Sequence, residues 1–170
     1  RAQHSSLPGC APAAATDRLF LAIFPDRETA ARLTRFAVTQ CALHDLRGRP
    51  LASERFHVTL FHLGDSAGLR QDVVDAASKA ASRVRAASFE LGFDQVASFA
   101  GRRDKLPFVL KAGSGNAALR AFHAELATQL REAGLAHFAG GSFEPHVTLA
   151  YDARLVAPVT VAPVRWRARE

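Results

Sequence analysis

The sequence is poor in cysteine and lacks the long apolar runs that membrane proteins need. Its 170 residues include two cysteines, Cys10 and Cys41, too few for a disulfide framework and without zinc-ligand spacing. This cysteine usage favours a reducing cytoplasm. No apolar run approaches the ~20 residues that cross a bilayer, so we expect no membrane association. A Gly-x-Ser-x-Gly elbow is also lacking, which argues against a serine hydrolase.

The chain has more basic than acidic side chains. Lys and Arg number 22 against 16 Asp and Glu, which gives a formal charge of +6 and a sequence pI of about 10.3. This favours an anionic partner such as RNA, although basic composition alone is only suggestive. Residues 1–16 are rich in Ala, Pro, Ser and Gly, and we expect a disordered extension or an expression remnant there. Residues 17–170 are expected to form one domain and a monomer.

One tetrapeptide, His-Val-Thr-Leu, occurs at residues 57–60 and again at residues 146–149. Both copies lie in apolar, β-branched runs that favour extended backbone. In a strand, a histidine and a threonine two residues apart point to the same face. A single His-x-Thr pair is usually structural, but its repetition in the same context favours function. Two copies predict two equivalent strands that meet across one site.

Hydrophobic periodicity predicts the remaining elements. Helices are expected near residues 27–43, 69–86 and 116–133, with Asp26 as the N-cap of the first. Further strands are expected at residues 18–24, 88–93, 95–99, 107–111 and 159–166, with a tight turn at Asp94. Strict alternation places His62 on the face opposite His57, and His123 beside the apolar stripe of its helix has an expected structural role. The order of elements predicts an α+β fold with two similar halves.

Two histidines and two threonines can carry phosphodiester chemistry. Histidine titrates near neutrality, so one imidazole can take a proton from water while the other donates one to the leaving sugar oxygen. The threonine hydroxyls can donate hydrogen bonds to the non-bridging phosphate oxygens. No metal or cofactor is needed for this scheme. The sequence leaves open which histidine is the acid and which is the base.

The motifs His57-Val-Thr59 and His146-Val-Thr148 resemble the signature of the 2H phosphoesterase superfamily. Residues 18–23, 56–64 and 143–149 are similar to the bacterial RNA 2′,3′-cyclic phosphodiesterases, which are often labelled 2′-5′ RNA ligases. The similarity covers roughly residues 18–170. It implies a bilobal α+β domain of two pseudo-symmetric antiparallel β-sheets, with helices on the outside and a central cleft.

The resemblance also implies an activity. This is metal-independent hydrolysis of RNA 2′,3′-cyclic phosphate ends to 2′-phosphates, with weak reversible 2′-5′ ligation in some members. It implies that His57 and His146 form the acid/base pair and that Thr59 and Thr148 hold the phosphate of RNA ends or small cyclic nucleotides. Two alternatives stay open. One is a phosphodiesterase on 2′-5′-linked oligonucleotides or ADP-ribose cyclic phosphate, and the other is a non-catalytic RNA-binding module.

The chain departs from the family pattern at one position of the site. Family members commonly have an arginine three residues beyond the second threonine, where this chain has Tyr151. Positive charge for the phosphate would then come from elsewhere, and the candidates are Arg103, Lys105 and Arg154. Phe143 is expected either to stack on a base near the cleft or to belong to the core.

Overall fold

The structure of the protein is a computed structural model that describes residues 13–169. The described residues form six strands and three α-helices, with short 3-10 turns at Ser53–Arg55 and Ala136–Phe138. In chain order these are β1 Asp17–Ile23, α1 Arg27–Leu43, β2 Val58–Ser66, α2 Gln71–Arg83, β3 Phe89–Ser98, β4 Leu106–Lys111, α3 Ala117–Glu132, β5 His146–Asp152 and β6 Val159–Ala168. The predicted N-terminal extension lies mostly outside the described residues, and Thr16, within them, donates its backbone N–H to the carbonyl of Ser66.

The strands form an antiparallel arrangement in the order β1-β2-β5-β4-β3-β6. This confirms the predicted α+β class. The two lobes are unequal, since β1 and β2 make up one and β5, β4, β3 and β6 the other. A single register pair, Val58 with Val147, joins them into one six-stranded sheet. The two strands that carry the repeated motif therefore meet in the middle of the sheet.

The core lies against one face of these two central strands. Val58, Val147 and Leu149 are fully buried, whereas Thr59 and Thr148 are half-buried on the other face. Burying a large aliphatic side chain contributes roughly 1.5–3 kcal/mol, so the apolar face fixes which way each strand turns. The helices contribute to the same core through residues with the predicted helical spacing, among them Leu33, Ala37, Val73, Ala77, Leu119, Leu126 and Leu130.

The start of α1 follows the sequence-based prediction. The Asp26 carboxylate accepts a hydrogen bond of 2.8 Å from the backbone N–H of Thr29, which confirms the N-cap. This backbone hydrogen bond lowers the pKa of Asp26. A capping side chain satisfies one of the unpaired N–H groups of the first turn, so the helix begins at a defined residue.

The predicted turn at Asp94 is wrong. Strand β3 runs through it without a break, and Asp94 lies at an irregularity in the register with β6. Its carboxylate accepts a 2.9 Å hydrogen bond from the backbone N–H of Gly113. The opposite stretch of β6 contains Pro163, which has no N–H to donate to the ladder. A turn-forming residue is thus accommodated as a local irregularity within one strand.

Strand β2 contains an extra residue directly after its threonine. The register with β1 advances by one residue from Leu21 to Ala22 but by two from Phe61 to Thr59, so Leu60 is the inserted residue. A bulge of this kind reverses the alternation of side chains beyond it. Leu60 and Phe61 are accordingly both buried, and His62 is exposed. The prediction that His62 faces away from His57 is wrong for this reason.

Strand β5 repeats the same irregularity at the equivalent position. The register with β4 advances by one residue from Phe108 to Val109 but by two from Ala150 to Thr148. Leu149 is therefore the inserted residue, and Leu149 and Ala150 are both buried. The residue three positions beyond each threonine returns to the motif face in both lobes.

A tight contact between a loop and β5 generates a stability prediction. The backbone N–H groups of Arg47 and Gly48 both donate to the Asp152 carboxylate at 2.7 Å. A Cβ added at Gly48 would lie 1.9 Å from the Tyr151 carbonyl oxygen. We expect Gly48→Ala to lower the free energy of unfolding by about 1–3 kcal/mol, because backbone must move to relieve the overlap.

Urea denaturation of Gly48→Ala beside Gly140→Ala checks this prediction. Among residues 13–169, apart from Gly140 and its two chain neighbours, no heavy atom lies within 4 Å of a Cβ built at Gly140, so this matched control should stay within about 0.5 kcal/mol of the parent protein. Equal stabilities of the two variants would contradict the close packing of the loop on β5.

Candidate active site

The two motif histidines are held by the same hydrogen bond in both lobes. His57 Nδ1 lies 2.7 Å from the carbonyl oxygen of Arg55, and His146 Nδ1 lies 2.8 Å from that of Glu144. A carbonyl only accepts, so each Nδ1 carries the proton and donates it. Each neutral ring therefore has its unprotonated nitrogen at Nε2, the tautomer from which that nitrogen can take a proton.

The central register pair brings the two motifs face to face. Antiparallel pairing of Val58 with Val147 places His57 opposite Thr148 and Thr59 opposite His146. Residues directly opposite each other have Cβ atoms about 4.5–5.5 Å apart and share a face. All four side chains are half-buried on the face away from the core. The structure thus brings the two motif strands together at one pair, as the repeated sequence predicts.

A cleft of about 580 Å³ opens beside the first motif. His57, Thr59, Thr148 and Tyr151 line it. The remaining lining residues are Arg18, Phe20, Phe24, Leu51, Glu54, Arg55 and His62. The cleft therefore combines one motif histidine and both motif threonines with three aromatic rings and two guanidinium groups, while His146 is not among its lining residues.

Aromatic rings support both imidazoles. Phe20 is stacked on His57 with ring centroids 4.9 Å apart, and Phe24 lies at 5.5 Å from the same ring. Phe99 meets His146 edge-on at 4.8 Å. These contacts and the Nδ1 hydrogen bonds fix the orientation of the rings. Such pre-organisation is what acid/base catalysis requires of its proton-transfer groups.

The electrostatic environment distinguishes His146. Burial lowers the pKa of the His146 imidazole, and the neighbouring His57 and Lys111 act in the same direction. The hydrogen bond to the Glu144 carbonyl and the charge of the Glu144 carboxylate oppose this shift without cancelling it. His146 is consequently held in its neutral form to lower pH than an ordinary histidine.

The other predicted site residues lie at different distances from the cleft. Tyr151 lines the cleft, and Lys105 Nζ lies 5.1 Å from the centroid of its ring, so this ammonium group is beside the site. Arg103 is exposed in the loop next to Lys105. Arg154, which follows β5 in the chain, instead contacts the residues after α1. It donates a hydrogen bond to the carbonyl of His44 and forms an ion pair with Asp45 at 3.6 Å.

Phe143 belongs to a stack of three rings behind the motif strands. Its ring is parallel to that of His123 with centroids 3.8 Å apart, and Phe61 covers the other side of His123 at 4.2 Å. Phe143 also packs against the core. The structure thus places Phe143 in the core packing that was one of its two expected roles.

His123 connects the two motifs through this stack. Its Nε2 donates to the carbonyl of Leu60, the inserted residue of β2, at 3.0 Å. Phe61 follows the first motif and Phe143 precedes the second, so α3 fixes both motif strands through one side chain. The expectation that His123 is structural agrees with these contacts.

Seven of the residues that line the cleft are not predicted as site residues from the sequence: Arg18, Phe20, Phe24, Leu51, Glu54, Arg55 and His62. Phe20 and Arg18 were assigned only to a strand, and His62 was assigned to the wrong face. The sequence does show that Arg18 and Phe20 point to the same face of β1, because they are two residues apart in a strand. No signal within β2 itself reveals its inserted residue.

Comparison with known proteins identifies the family. The family model described as the 2′-5′ RNA ligase superfamily matches residues 25–168. The chain belongs to this superfamily. A search of curated proteins finds no match.

Several solved structures share the fold of this chain. Escherichia coli LigT complexed with 3′-AMP is 25% identical, with a TM-score of 0.63, 89% of this chain covered and 83% of LigT. A structure named only as a phosphoesterase is also 25% identical, with a TM-score of 0.65 and coverages of 87% and 82%. TT0787 of Thermus thermophilus is 23% identical, with a TM-score of 0.64 and coverages of 89% and 84%.

Two further observations concern only residues 13–169. No helix there is both long and apolar enough to cross a membrane. The same residues contain no group of three or more His, Cys, Asp or Glu side chains arranged to hold a metal ion.

The ring stack generates a prediction about His123. We expect His123→Ala to lower the free energy of unfolding by roughly 2–4 kcal/mol, because two stacking contacts and one hydrogen bond are lost. His123→Phe should retain the stacking and cost about 1–3 kcal/mol, since only the Leu60 carbonyl loses its partner. Denaturant unfolding measures both. The exposed His137, changed to Ala, serves as control, and a loss there as large as for His123→Ala would contradict the proposed link.

The pKa shifts generate a prediction about stability at acid pH. Burial lowers the pKa of both His123 and His146 below the ordinary value of 6.5. A depressed pKa means that the unfolded chain binds more protons, so stability is fully present above pH 6.5 and is lost as the pH falls through the folded-state values. We expect the unfolding free energy, measured from pH 7.5 to 5, to fall less steeply in His123→Phe. Identical slopes would contradict the role of His123.

Proposed function

We propose that this protein hydrolyses 2′,3′-cyclic phosphate ends of RNA to 2′-phosphates by a metal-independent, two-histidine mechanism. The proposal is carried by one observation, the matched Nδ1 hydrogen bonds that leave an Nε2 available on each of two rings that share one face. Two oriented and titratable groups on one face are unnecessary for binding alone. Hydrolysis of a phosphodiester by acid/base catalysis, in contrast, needs one group that accepts a proton and one that donates a proton.

The proposed steps balance in atoms and protons. Nε2 of one neutral histidine takes a proton from water, and the water oxygen forms a bond to phosphorus. The bond between phosphorus and the 3′ oxygen breaks, and Nε2–H of the other, protonated histidine gives its proton to that oxygen. The products are a 2′-phosphate and a free 3′ hydroxyl group. Proton return between the two rings through solvent restores the starting state.

We assign the base to His146 and the acid to His57. The lowered pKa of His146 favours its neutral form near neutral pH, which is the form that accepts a proton. His57 then has the complementary role. The hydroxyl groups of Thr59 and Thr148 donate hydrogen bonds to the two non-bridging oxygens, where negative charge increases in the transition state.

Positive charge for the phosphate comes from the cleft wall in this proposal. Lys105 lies over the Tyr151 ring beside the cleft and is the leading candidate of the three proposed from the sequence. Arg103 follows it in the same loop, and the contacts of Arg154 with α1 make it the weakest. The 3′-AMP bound by the 25% identical LigT supports a nucleotide ligand for this fold.

The superfamily name points to a second reaction of the same site. If the 5′ hydroxyl of another RNA replaces water as nucleophile, the same transfers form a 2′-5′ linkage. The reverse of this step cleaves a 2′-5′ linkage and regenerates the cyclic phosphate. We propose ligation as a minor, reversible activity of the same site. The cysteine content supports a cytoplasmic site of action.

The test is hydrolysis of a short RNA that ends in a 2′,3′-cyclic phosphate, with EDTA present. We expect turnover to a 2′-phosphate by the parent protein. His57→Ala and His146→Ala should each reduce kcat by at least about 100-fold, the usual scale of a lost general acid or base. Product analysis by ³¹P NMR separates 2′- from 3′-phosphate, and the rate should show a bell-shaped dependence on pH.

The matched control is His137→Ala, since His137 is exposed and outside the cleft. Strict dependence on added metal would reject the two-histidine mechanism. If the folded parent protein does not hydrolyse the cyclic phosphate but cleaves 2′-5′-linked adenylates, the 2′-5′-linked oligonucleotide is the substrate instead. RNA binding that survives both histidine changes, without turnover of either substrate, would favour a binding module.

A further inference from the structure

A second group of charged side chains lies at the far end of the same cleft. The Asp65 carboxylate accepts hydrogen bonds from Arg18 Nε at 2.8 Å and from His62 Nε2 at 3.1 Å, both at Oδ1. Arg18 Nη2 donates to the other oxygen of Asp65 at 3.1 Å. We call Arg18, His62 and Asp65 the cleft-end trio. Arg18 and His62 both line the cleft that contains His57.

The trio has a defined protonation pattern. The hydrogen bonds from Arg18, and then that from His62, lower the pKa of Asp65, so this carboxylate is ionised. An ionised carboxylate only accepts, which requires that His62 carries a proton on Nε2. Nδ1 of His62 is then the nitrogen left for a ligand, and it donates when the ring is protonated.

The position of the trio relates it to the reacting groups. In the register of β1 with β2, Phe20 is the partner of His62, and its ring is stacked on His57. The Leu60 bulge makes His62 the next side chain after Thr59 on the motif face. Two extended residues advance a strand by roughly 6.6 Å, which is about the step between neighbouring phosphates in an extended strand. An aromatic ring therefore separates the catalytic histidine from a second cationic group.

The aromatic surface between the two groups is open to solvent. Phe20 is 38% exposed and Phe24 is 59% exposed, although both contact the His57 ring. Large apolar side chains with this exposure beside cations form the pattern that binds single-stranded nucleic acid, by stacking on bases and contact with the backbone.

We infer that the cleft-end trio binds the phosphate that precedes the reacting one, so the natural substrate is an oligonucleotide end rather than a cyclic mononucleotide. The identity of the first phosphate rests on the proposed function. Phe20 and Phe24 contact the base or sugar between the two phosphates. The Arg18–Asp65 ion pair holds the His62 ring in place, and the guanidinium group of Arg18 is the positive group that faces the second phosphate.

A binding measurement tests this inference without requiring turnover. The probes are 3′-AMP and the dinucleotide ApAp, which has the same terminal nucleotide and one additional phosphodiester. Isothermal titration gives the ratio of their dissociation constants for the parent protein, His62→Gln and Arg18→Gln. We expect the parent protein to prefer ApAp, and each variant to reduce this preference by about threefold to fivefold, the scale of one exposed charge contact. The preference should also weaken with added salt.

Two variants outside the cleft are matched controls. His137→Gln removes an exposed histidine, and Arg70→Gln removes an exposed arginine that is paired with Asp72. Both should retain the parent preference for ApAp. The inference is overturned if the parent protein binds the two probes equally, or if His62→Gln and Arg18→Gln leave the preference unchanged. Failure of cyclic phosphate hydrolysis would reject the proposed function and would leave this ratio as an independent result.

Discussion

The site depends on one register pair, Val58 with Val147, which is where the two lobes of the sheet are joined. Both valines are fully buried, so their side chains fix the face of each strand that meets the core. A shift of one residue in either strand would turn its histidine and threonine into the core. The match of each imidazole with the hydroxyl of the other motif follows directly from this pairing.

Much of the fold could be predicted because its signals are local in sequence. The α+β class, the cap at Asp26 and the shared face of His57 with Thr59 all follow from short-range periodicity and propensity. The face of His62 could not be predicted, since it depends on a bulge that is stabilised from another element. The carbonyl of Leu60, at the bulge, is satisfied by His123 of α3, which is more than sixty residues away in the chain. The sequence of β2 alone therefore does not predict where the bulge lies.

Charges at the site were also predicted only in part. Lys105 was a reasonable candidate and lies beside Tyr151, whereas Arg154 is engaged by the carbonyl and carboxylate that follow α1. The difference lies in tertiary contacts, because all three candidate cations are equally basic and polar in sequence. Arg18 drew no attention because it opens an apolar strand, although its pairing with Asp65 brings it to the cleft.

The identical anchoring of the two imidazoles has a consequence for the direction of the reaction. A group that accepts a proton in one direction must return it in the other, so microscopic reversibility exchanges the roles of acid and base. Both rings have the same tautomer, fixed by a carbonyl two residues upstream, and both are therefore constructed for either role. The burial of His146 and the charges beside it distinguish the two rings. In the proposed reaction, the matched anchoring of the two rings therefore suits either direction, and the supply of nucleophile decides which way the reaction runs.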